Sequence, residues 1–210
     1  IELKDPRLLN LKEDLAEDRN SKARHKARSK TAYGKAGDAV SNLTQSSRDG
    51  KALNFKQAKR AIQNIVDLMM QDEPIMLGLT TLRCHDQYTH NHSVNVSLLS
   101  IALANRAGYP KVELADLGVA ALFHDMGKST IPLEVLNKPG EFTEDEWTMM
   151  RNHPTEGVLS LTQLRGITNL PTRMAAASFE HHMNLDYSGY PKLKTSWKLS
   201  LTGRILTIAD

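Results

Sequence analysis

Two adjacent pairs of residues, His124-Asp125 and His181-His182, each follow an apolar stretch of the sequence. Imidazole and carboxylate groups together suit divalent ions such as Zn, Fe, Mn and Ni, and a carboxylate can bridge two ions, which one imidazole cannot. Each pair also has an ordinary structural interpretation. The first could mark a helix end, and the second could be one core histidine beside one surface histidine. Metal chemistry is the hypothesis that the rest of the sequence must support.

Further candidate ligands occupy comparable places. His92 lies on the long helix predicted over 85–107, whose second half is apolar. His153 is followed by Pro154, and Asp210 follows an apolar run. Seven of the eight histidines lie within residues 85–182. His and Asp residues that end or interrupt apolar helices favour ligands converging from several helices on one buried site, with separate structural roles as the alternative.

The stretches that must position these residues have helical periodicity. Thr143 and Glu146 match a capping box, and Pro154 predicts a kink or a helix restart at His153. No stretch alternates with the period of a strand, so the sequence predicts an all-α fold, with an irregular loop over 186–197. The predicted helices cover residues 55–69, 85–107, 111–124, 143–153, 171–182 and 201–210.

Charge divides the chain into two parts. Residues 1–60 carry 15 Lys or Arg against 8 Asp or Glu, whereas acidic residues are in excess over residues 61–210. We therefore expect a polar, basic helical leader or linker over 1–50 and a packed domain over 51–210. The basic run from Lys22 to Lys30 is interpreted as a solvated helix; contact with nucleic acid or an acidic membrane is the alternative. Because no aromatic residue interrupts that run, no nucleic-acid polymer is expected as a partner.

Composition excludes several classes of protein. Hydrophobic residues make up 40% of the 210 residues and charged residues 24%, which is ordinary for a globular protein. The single cysteine, Cys84, excludes an intramolecular disulfide and a Cys-based zinc cage. The longest apolar run, residues 117–123, is much shorter than the roughly 18 residues of a membrane span. The N-terminus is charged and does not resemble a signal peptide, so a cytoplasmic location is expected. Because the chain begins at Ile1, it is expected to belong to a longer protein.

Four segments, in this order, resemble the motifs of the HD-GYP branch of the HD superfamily of metal-dependent phosphohydrolases. The resemblance covers about residues 80–210, and its specificity comes from the order and spacing of many short motifs. It implies an HD-type helical bundle with a buried di-metal site, in a domain that ends before the region usually following Asp210. The segments are residues 86–93 (DQYTHNHS), 124–132 (HDMGKSTIP), 153–157 (HPTEG) and 181–191 (HHMNLDYSGYP).

The resemblance also implies a ligand set. One ion would be held by His92, His124 and Asp210, the second by His153, His181 and His182, with Asp125 as the bridge. Fe and Mn are the expected ions, and Ni and Zn also suit such ligands. Held ~3.5–4 Å apart, two ions would share a hydroxide for in-line attack on phosphorus.

Asp125 and Lys128 are the catalytic candidates. Lys128 would place a positive charge against a phosphate oxygen; an exposed lysine after a helix end is the alternative.

The resemblance implies that the loop of Gly189, Tyr190 and Pro191 binds substrate or a partner. The alternative is a tyrosine that only packs at the edge of the core.

Several positions depart from the branch pattern. Met183 replaces a usual Glu, Asn95 a usual Arg, and Tyr187 a usual Gly. Tyr88 stands where some members carry a Glu for a third metal, so two metals are expected.

The function that the resemblance implies is hydrolysis of cyclic di-GMP to linear pGpG or GMP. Two alternatives stay open: a phosphohydrolase acting on another cyclic dinucleotide or a nucleotide, and a catalytically silent binding or signalling module. Met183 and Asn95 favour the silent module, whereas the intact His and Asp set opposes it. Partners implied are a cyclic dinucleotide, a GGDEF-type diguanylate cyclase domain or an upstream sensor domain, and a second copy in a homodimer.

Overall fold

The structure is a computed structural model and describes residues 6–51, 55–81, 88–162, 172–186, 188–194 and 196–210. All regular elements of this described part are helical, so the predicted all-α fold is confirmed. Short 3-10 turns cover Gly78–Thr81 and Met126–Thr130. The helices are α1 (Pro6–Arg48), α2 (Lys56–Gln71), α3 (Glu73–Leu77), α4 (Tyr88–Arg106), α5 (Lys111–Leu122), α6 (Leu133–Leu136), α7 (Glu144–Thr162), α8 (Thr172–Glu180) and α9 (Leu201–Ala209).

The helix α5 lies at the centre of the bundle, in contact with α2, α4 and α8. Gly118 allows this close packing, because a Cβ there would lie 2.7 Å from Ile101 on α4 and 2.8 Å from Ile62 on α2. Ser97 on α4 adds a buried hydrogen bond, donating to the Gly118 carbonyl at 2.8 Å. The helices α2, α4 and α5 therefore form a tightly packed frame that positions α4 and α5 at the site.

Helix ends follow the local signals of the sequence. The capping box is present: Glu146 accepts from the Thr143 amide at 2.7 Å, and Thr143 accepts from the Glu146 amide at 3.3 Å. Gly108 ends α4 with a φ of +82°, a conformation that costs a glycine little. Ser200 caps α9 by accepting from the Gly203 amide at 2.9 Å.

The helix α7 runs from Glu144 to Thr162 with Pro154 inside it. Of the kink or helix restart predicted at His153, the restart is therefore wrong, and the kink stays a prediction. The helix packs against α8 and the Met126–Thr130 turn, and this packing favours the helical backbone although Pro154 removes one backbone hydrogen bond.

The leader is helical as expected, but the core begins well before residue 51. From Ser29 onward the inner face of α1 is buried, and it packs on α2 and α4. The boundary expected at residues 46–50 is therefore not where packing starts: small and apolar residues at helical spacing hold the second half of α1 on the bundle. Its residues in the core are Ala32, Tyr33, Ala36, Ala39, Val40 and Leu43.

Some predictions lie outside the described residues, including the start of the helix predicted over 85–107 and the role of Pro171. Within the described residues, no helix is both long and apolar enough to cross a bilayer.

Candidate metal centre

Each of the seven predicted ligands lies at or near the end of a helix, or at the proline inside one. His92 lies near the start of α4, and His153 lies inside α7, directly before Pro154. His124 and Asp125 follow α5, His181 and His182 follow α8, and Asp210 ends α9. The structure brings all seven together in three overlapping groups, each with donor atoms within 4.8 Å of one another. The groups are Asp125 with His153, His181 and His182; His92 with His124 and Asp125; and His124 with His181 and Asp210.

His92, His124 and Asp210 form what we call the carboxylate half-site. The His92 Nε2 lies 2.8 Å from the Asp210 Oδ1, and the His124 Nε2 lies 3.4 Å from the same oxygen. The His124 Nε2 also lies 3.4 Å from the Asp125 Oδ2. The His124 nitrogen therefore faces two carboxylates at once.

His153, His181 and His182 form what we call the imidazole half-site. The His153 Nε2 lies 3.1 Å from the His181 Nε2 and 3.2 Å from the Asp125 Oδ1. The His182 ring packs against both, with centroids 4.2 Å from His181 and 5.1 Å from His153. Asp125 thus faces His124 with one oxygen and His153 with the other, which is the placement that a bridging ligand requires.

Backbone carbonyls fix the orientation of three imidazoles. The Nδ1 atoms of His124, His153 and His181 lie 2.7, 2.6 and 2.7 Å from the carbonyl oxygen three residues earlier in each case. A carbonyl only accepts, so each Nδ1 carries a hydrogen, and each ring turns its Nε2 toward the centre. Such outer contacts are the usual means of orienting metal-binding histidines.

Two buried atoms at the centre lack a hydrogen-bond partner: the His124 Nε2 and the Asp125 Oδ1. Orphaned polar atoms are costly in a protein interior. In addition, the lone pairs of His153 and His181 face each other across 3.1 Å, which is repulsive unless a cation or proton lies between them. A divalent ion would satisfy all of these atoms, so the residues present fit a metal.

The two half-sites differ in their affinity for protons. Burial lowers the pKa of His124, but the Asp125 and Asp210 carboxylates outweigh burial and raise it to about 10. Burial, followed by neighbouring His124 and His182, lowers the pKa of His181 well below its usual range. Burial and then His153 lower the pKa of His182 to about 4.

The carboxyl groups respond in the opposite direction. Although burial raises the pKa of Asp125, the neighbouring His124, His153 and Lys128 hold it well below its usual range. The pKa of Asp210 is lowered as well, by His124 and His92 against the effect of burial. Both carboxylates are therefore charged at neutral pH, as metal ligands must be.

Lys128 is partly buried beside Asp125. Its Nζ donates to the Asp125 Oδ2 at 2.7 Å, and 29% of its side chain is exposed. The next residue, Ser129, shares a hydrogen bond of 2.9 Å with Ser47 at the end of α1. The lysine therefore places a positive charge at the rim of the centre, on a turn tied to the long first helix.

The Gly189 to Pro191 loop packs directly on the paired histidines. A Cβ at Gly189 would lie 1.9 Å from the His182 carbonyl oxygen, so only glycine fits. The Tyr190 amide donates to that same oxygen at 3.0 Å, and the Tyr190 ring lies 4.6 Å from the His182 ring. Pro191 lines a cavity of about 290 Å³ together with Gly189 and Met183.

The structure describes the side chains of two positions that depart from the branch pattern, Met183 and Asn95. Met183 is buried with 5% exposure and offers no carboxylate. Asn95 accepts from the Tyr33 hydroxyl at 2.9 Å and donates to the Thr80 carbonyl at 3.3 Å, so it joins α4 to α1. The side chain of Tyr88 and all of Tyr187 lie outside the described part of the chain.

Glu180 is a residue that the sequence analysis missed. Its buried carboxylate accepts from the Trp197 Nε1 at 2.8 Å and from the amide and hydroxyl of Ser200 at 3.0 and 2.5 Å. Gly203 lies so close that a Cβ there would meet the Glu180 Oε2 at 2.1 Å. Glu180 thus ties the end of α8 to the start of α9, which carries Asp210. The only signal in the sequence was an acidic residue directly before the histidine pair.

His and Asp side chains from five helices converge here, and four of them (His124, Asp125, His153 and His181) are buried. This arrangement is typical of helical bundles with a metal site between their helices. A family model described as HD domain matches residues 65–210, and the chain belongs to this family. The HD-type bundle and the HD-GYP resemblance predicted from the sequence are confirmed.

Relatives of known name support the same grouping. The chain is 32% identical to a cyclic di-GMP phosphodiesterase of Pseudomonas aeruginosa over 82% of this chain and 41% of that protein. It is 31% identical to a cyclic di-GMP phosphodiesterase of Thermotoga maritima over 74% of this chain and 41% of that protein. A 3'3'-cGAMP-specific phosphodiesterase of Vibrio cholerae is 30% identical over 74% of this chain and 34% of its own length. The chain thus spans less than half the length of these relatives.

A solved structure shares the fold. An HDG"Y"P protein from Bdellovibrio bacteriovorus superposes with a TM-score of 0.71 at 20% identity, over 88% of this chain and 59% of that chain.

Proposed function

We propose that the chain is a metal-dependent phosphodiesterase that hydrolyses cyclic di-GMP to linear pGpG or to GMP. The observation that carries the proposal is the Asp125 carboxylate, buried between a carboxylate half-site and an imidazole half-site with one oxygen toward each. The names of relatives from Pseudomonas aeruginosa and Thermotoga maritima supply the substrate.

The proposed cofactors are two divalent ions, one in each half-site. Fe and Mn are the preferred candidates, and Ni and Zn suit the same donors. When bound, such a pair supplies Lewis-acid stabilisation of a phosphoryl group and lowers the pKa of water. His92, His124 and Asp210 would hold one ion, His153, His181 and His182 the other, and Asp125 would contact both.

Lys128 and the Gly189 to Pro191 loop are the proposed substrate contacts. The Lys128 ammonium lies beside Asp125, and in this proposal it would approach a phosphate oxygen and stabilise its negative charge. Burial, Asp125 and Asp210 raise the pKa of Tyr190 to about 12, so its hydroxyl keeps its proton at neutral pH. The phenol can then donate a hydrogen bond while its ring packs on a base.

Other cyclic dinucleotides are the second candidate substrates, because the Vibrio cholerae relative is named for 3'3'-cGAMP. A silent binding module is the third candidate, favoured by the apolar Met183 and by Asn95, whose amide is used between helices. A GGDEF-type cyclase domain, an upstream sensor domain and a homodimer stay predictions from the family resemblance.

The test is hydrolysis by the purified chain after reconstitution with Fe²⁺ or Mn²⁺ without oxygen. Cyclic di-GMP and 3'3'-cGAMP are incubated separately, and the products are resolved by chromatography beside a chelated control. We expect pGpG or GMP from cyclic di-GMP, faster than any product from 3'3'-cGAMP, and none in the control. Faster turnover of 3'3'-cGAMP would favour the second candidate. A metal-loaded chain that binds cyclic di-GMP but leaves it intact would favour the silent module.

A further inference from the structure

The helix α7 continues through Pro154 although proline has no backbone N–H. In an α-helix that N–H would bond to the carbonyl four residues earlier, which is that of Met150. The Met150 carbonyl therefore has no amide partner from Pro154. The His153 Nδ1 lies 2.6 Å from this oxygen and donates its hydrogen to it.

The other two oriented histidines, His124 and His181, differ from His153 in their position relative to a helix. His124 and His181 make the same contact to the carbonyl three residues earlier, but both follow the end of a helix. Carbonyls in the last turn of a helix lack the amide donor four residues later and are open to side chains. The Ala121 oxygen accepts only a long bond, 3.4 Å, from the His124 amide beside the contact with the His124 ring. His153 lies inside α7, where the carbonyl would ordinarily be occupied.

We propose that Pro154 is a positioning residue for His153. By withholding an N–H from the helix, it reserves the Met150 carbonyl for the imidazole, and the Nε2 is thereby aimed at the centre. That atom lies 3.1 Å from the His181 Nε2 and 3.2 Å from the Asp125 Oδ1. The inference rests on the proposed function, since it concerns the orientation of a ligand in the imidazole half-site.

The backbone around His153 and Pro154 is closely packed, so α7 has little room to shift if a second donor competes for the Met150 carbonyl. His153 is 1% exposed, and Pro154 is buried. A Cβ at Gly127 would lie 1.9 Å from the His153 carbonyl oxygen, so the turn after α5 packs closely on this backbone. An N–H restored at residue 154 would therefore compete with the imidazole at the Met150 oxygen instead of being accommodated by a shift of the helix.

The first test needs no metal and uses the full chain with ¹⁵N-labelled histidine. In the unmutated protein we expect nitrogen shifts that report an Nδ1–H tautomer for His153, with a ring hydrogen protected from exchange. Pro154→Ala restores the N–H, and we expect it to abolish that protection at His153 and leave the Nδ1 hydrogens of His124 and His181 protected from exchange. Pro154→Val also restores the N–H, keeps more of the volume, and serves if the alanine variant does not fold. An unchanged His153 signal in a folded variant would overturn the proposal.

The second test is Mn²⁺ binding, followed by the EPR signal of the free ion. We expect Pro154→Ala to bind one of its two ions about tenfold more weakly, as loss of an outer partner typically does, with the other ion unaffected. Pro74→Ala is the matched control, because Pro74 lies in the first turn of α3, where its missing N–H has no helical acceptor. Equal weakening of both ions would indicate a general packing effect and contradict a specific role. If the unmutated chain binds no Mn²⁺, the proposed function fails, and the NMR result still decides the role of Pro154.

Discussion

The two half-sites contain similar residues but present different charges to an ion. In the carboxylate half-site, His124 faces Asp125 and Asp210, which raise its pKa to about 10. In the imidazole half-site, burial and neighbouring rings lower the pKa values of His181 and His182. At neutral pH a proton therefore competes with an ion for His124, whereas His181 and His182 offer unprotonated nitrogens.

Position in the fold, more than residue type, therefore sets the pKa of each candidate ligand. Each of the three oriented histidines donates its Nδ1–H to a backbone carbonyl, so their geometry is alike. What distinguishes His124 is that it faces two carboxylates, Asp125 and Asp210, whereas His153 and His181 face Asp125. Asp125 is the carboxylate that faces both groups. Substitution of Asp125 should therefore have the largest effect on both half-sites.

Asp125→Asn is expected to disable both half-sites. The amide keeps the shape but loses the charge and one acceptor, so metal content should fall from about two ions per chain to below one. Hydrolysis of cyclic di-GMP should fall at least ~1000-fold, because Lewis-acid stabilisation is worth several kcal/mol. Elemental analysis and initial rates on the same preparation check this. Retention of one full ion would show that Asp125 belongs to a single half-site.

Lys128→Ala separates catalysis from metal binding, because Lys128 touches the shared carboxylate and is not itself a ligand. Metal content and melting temperature should stay nearly unchanged, while turnover falls about 100- to 1000-fold, as for loss of one contact to developing charge. Lys128→Arg should recover only part, since a planar fork does not reproduce a compact ammonium. Lys138→Ala is the control, for its side chain is also 29% exposed and paired with Glu146. An unaltered rate in Lys128→Ala would leave the lysine without a catalytic role.

Tyr190→Ala should act mainly on substrate binding. Loss of base stacking is worth about 1–3 kcal/mol, which corresponds to a rise of about 5- to 150-fold in KM. Tyr190→Phe keeps the ring against His182 and should retain most of the affinity. If kcat falls with KM unchanged in the alanine variant, the ring serves to orient His182 and does not bind substrate.

The smallest expected effect is a pH dependence of the chain without added metal. His124 should titrate near 10 and His182 near 4 in histidine NMR spectra. The raised pKa of His124 stabilises the fold below pH ~6.5, and this is lost as pH rises toward 10. The lowered pKa of His182 has the opposite effect: its contribution is present above ~6.5 and is lost as pH falls toward 4. Titration of both histidines near 6.5 would contradict the charge difference between the half-sites.

Much of the fold was open to prediction from local signals. The capping box at Thr143 and Glu146, the stop at Gly108 and the apolar face of α2 all depend on neighbours within about one helical turn. The packing of α1 was not predicted, because its inner face consists largely of small residues such as Ala32, Ala36 and Ala39. Small side chains give a weak apolar signal and yet allow close helix contact.

Within the site, the residue types and motif order were enough to single out all seven candidate ligands. Their roles as ligands stay predictions, although the structure brings their donor atoms together. The supporting contacts could not be read from the sequence. The Nδ1–H bonds end on backbone carbonyls, which every residue has, and Glu180 acts on α9 across 20 residues.

The most direct test of the two half-sites is the metal content of single-ligand variants after reconstitution with Mn²⁺. The unmutated chain should hold about two ions, and His92→Ala and His153→Ala should each hold about one, because each removes a ligand from a different half-site. Combining both substitutions should remove nearly all bound metal. An unmutated chain that holds no metal, or single variants that both keep two ions, would contradict a centre made of two half-sites joined by Asp125.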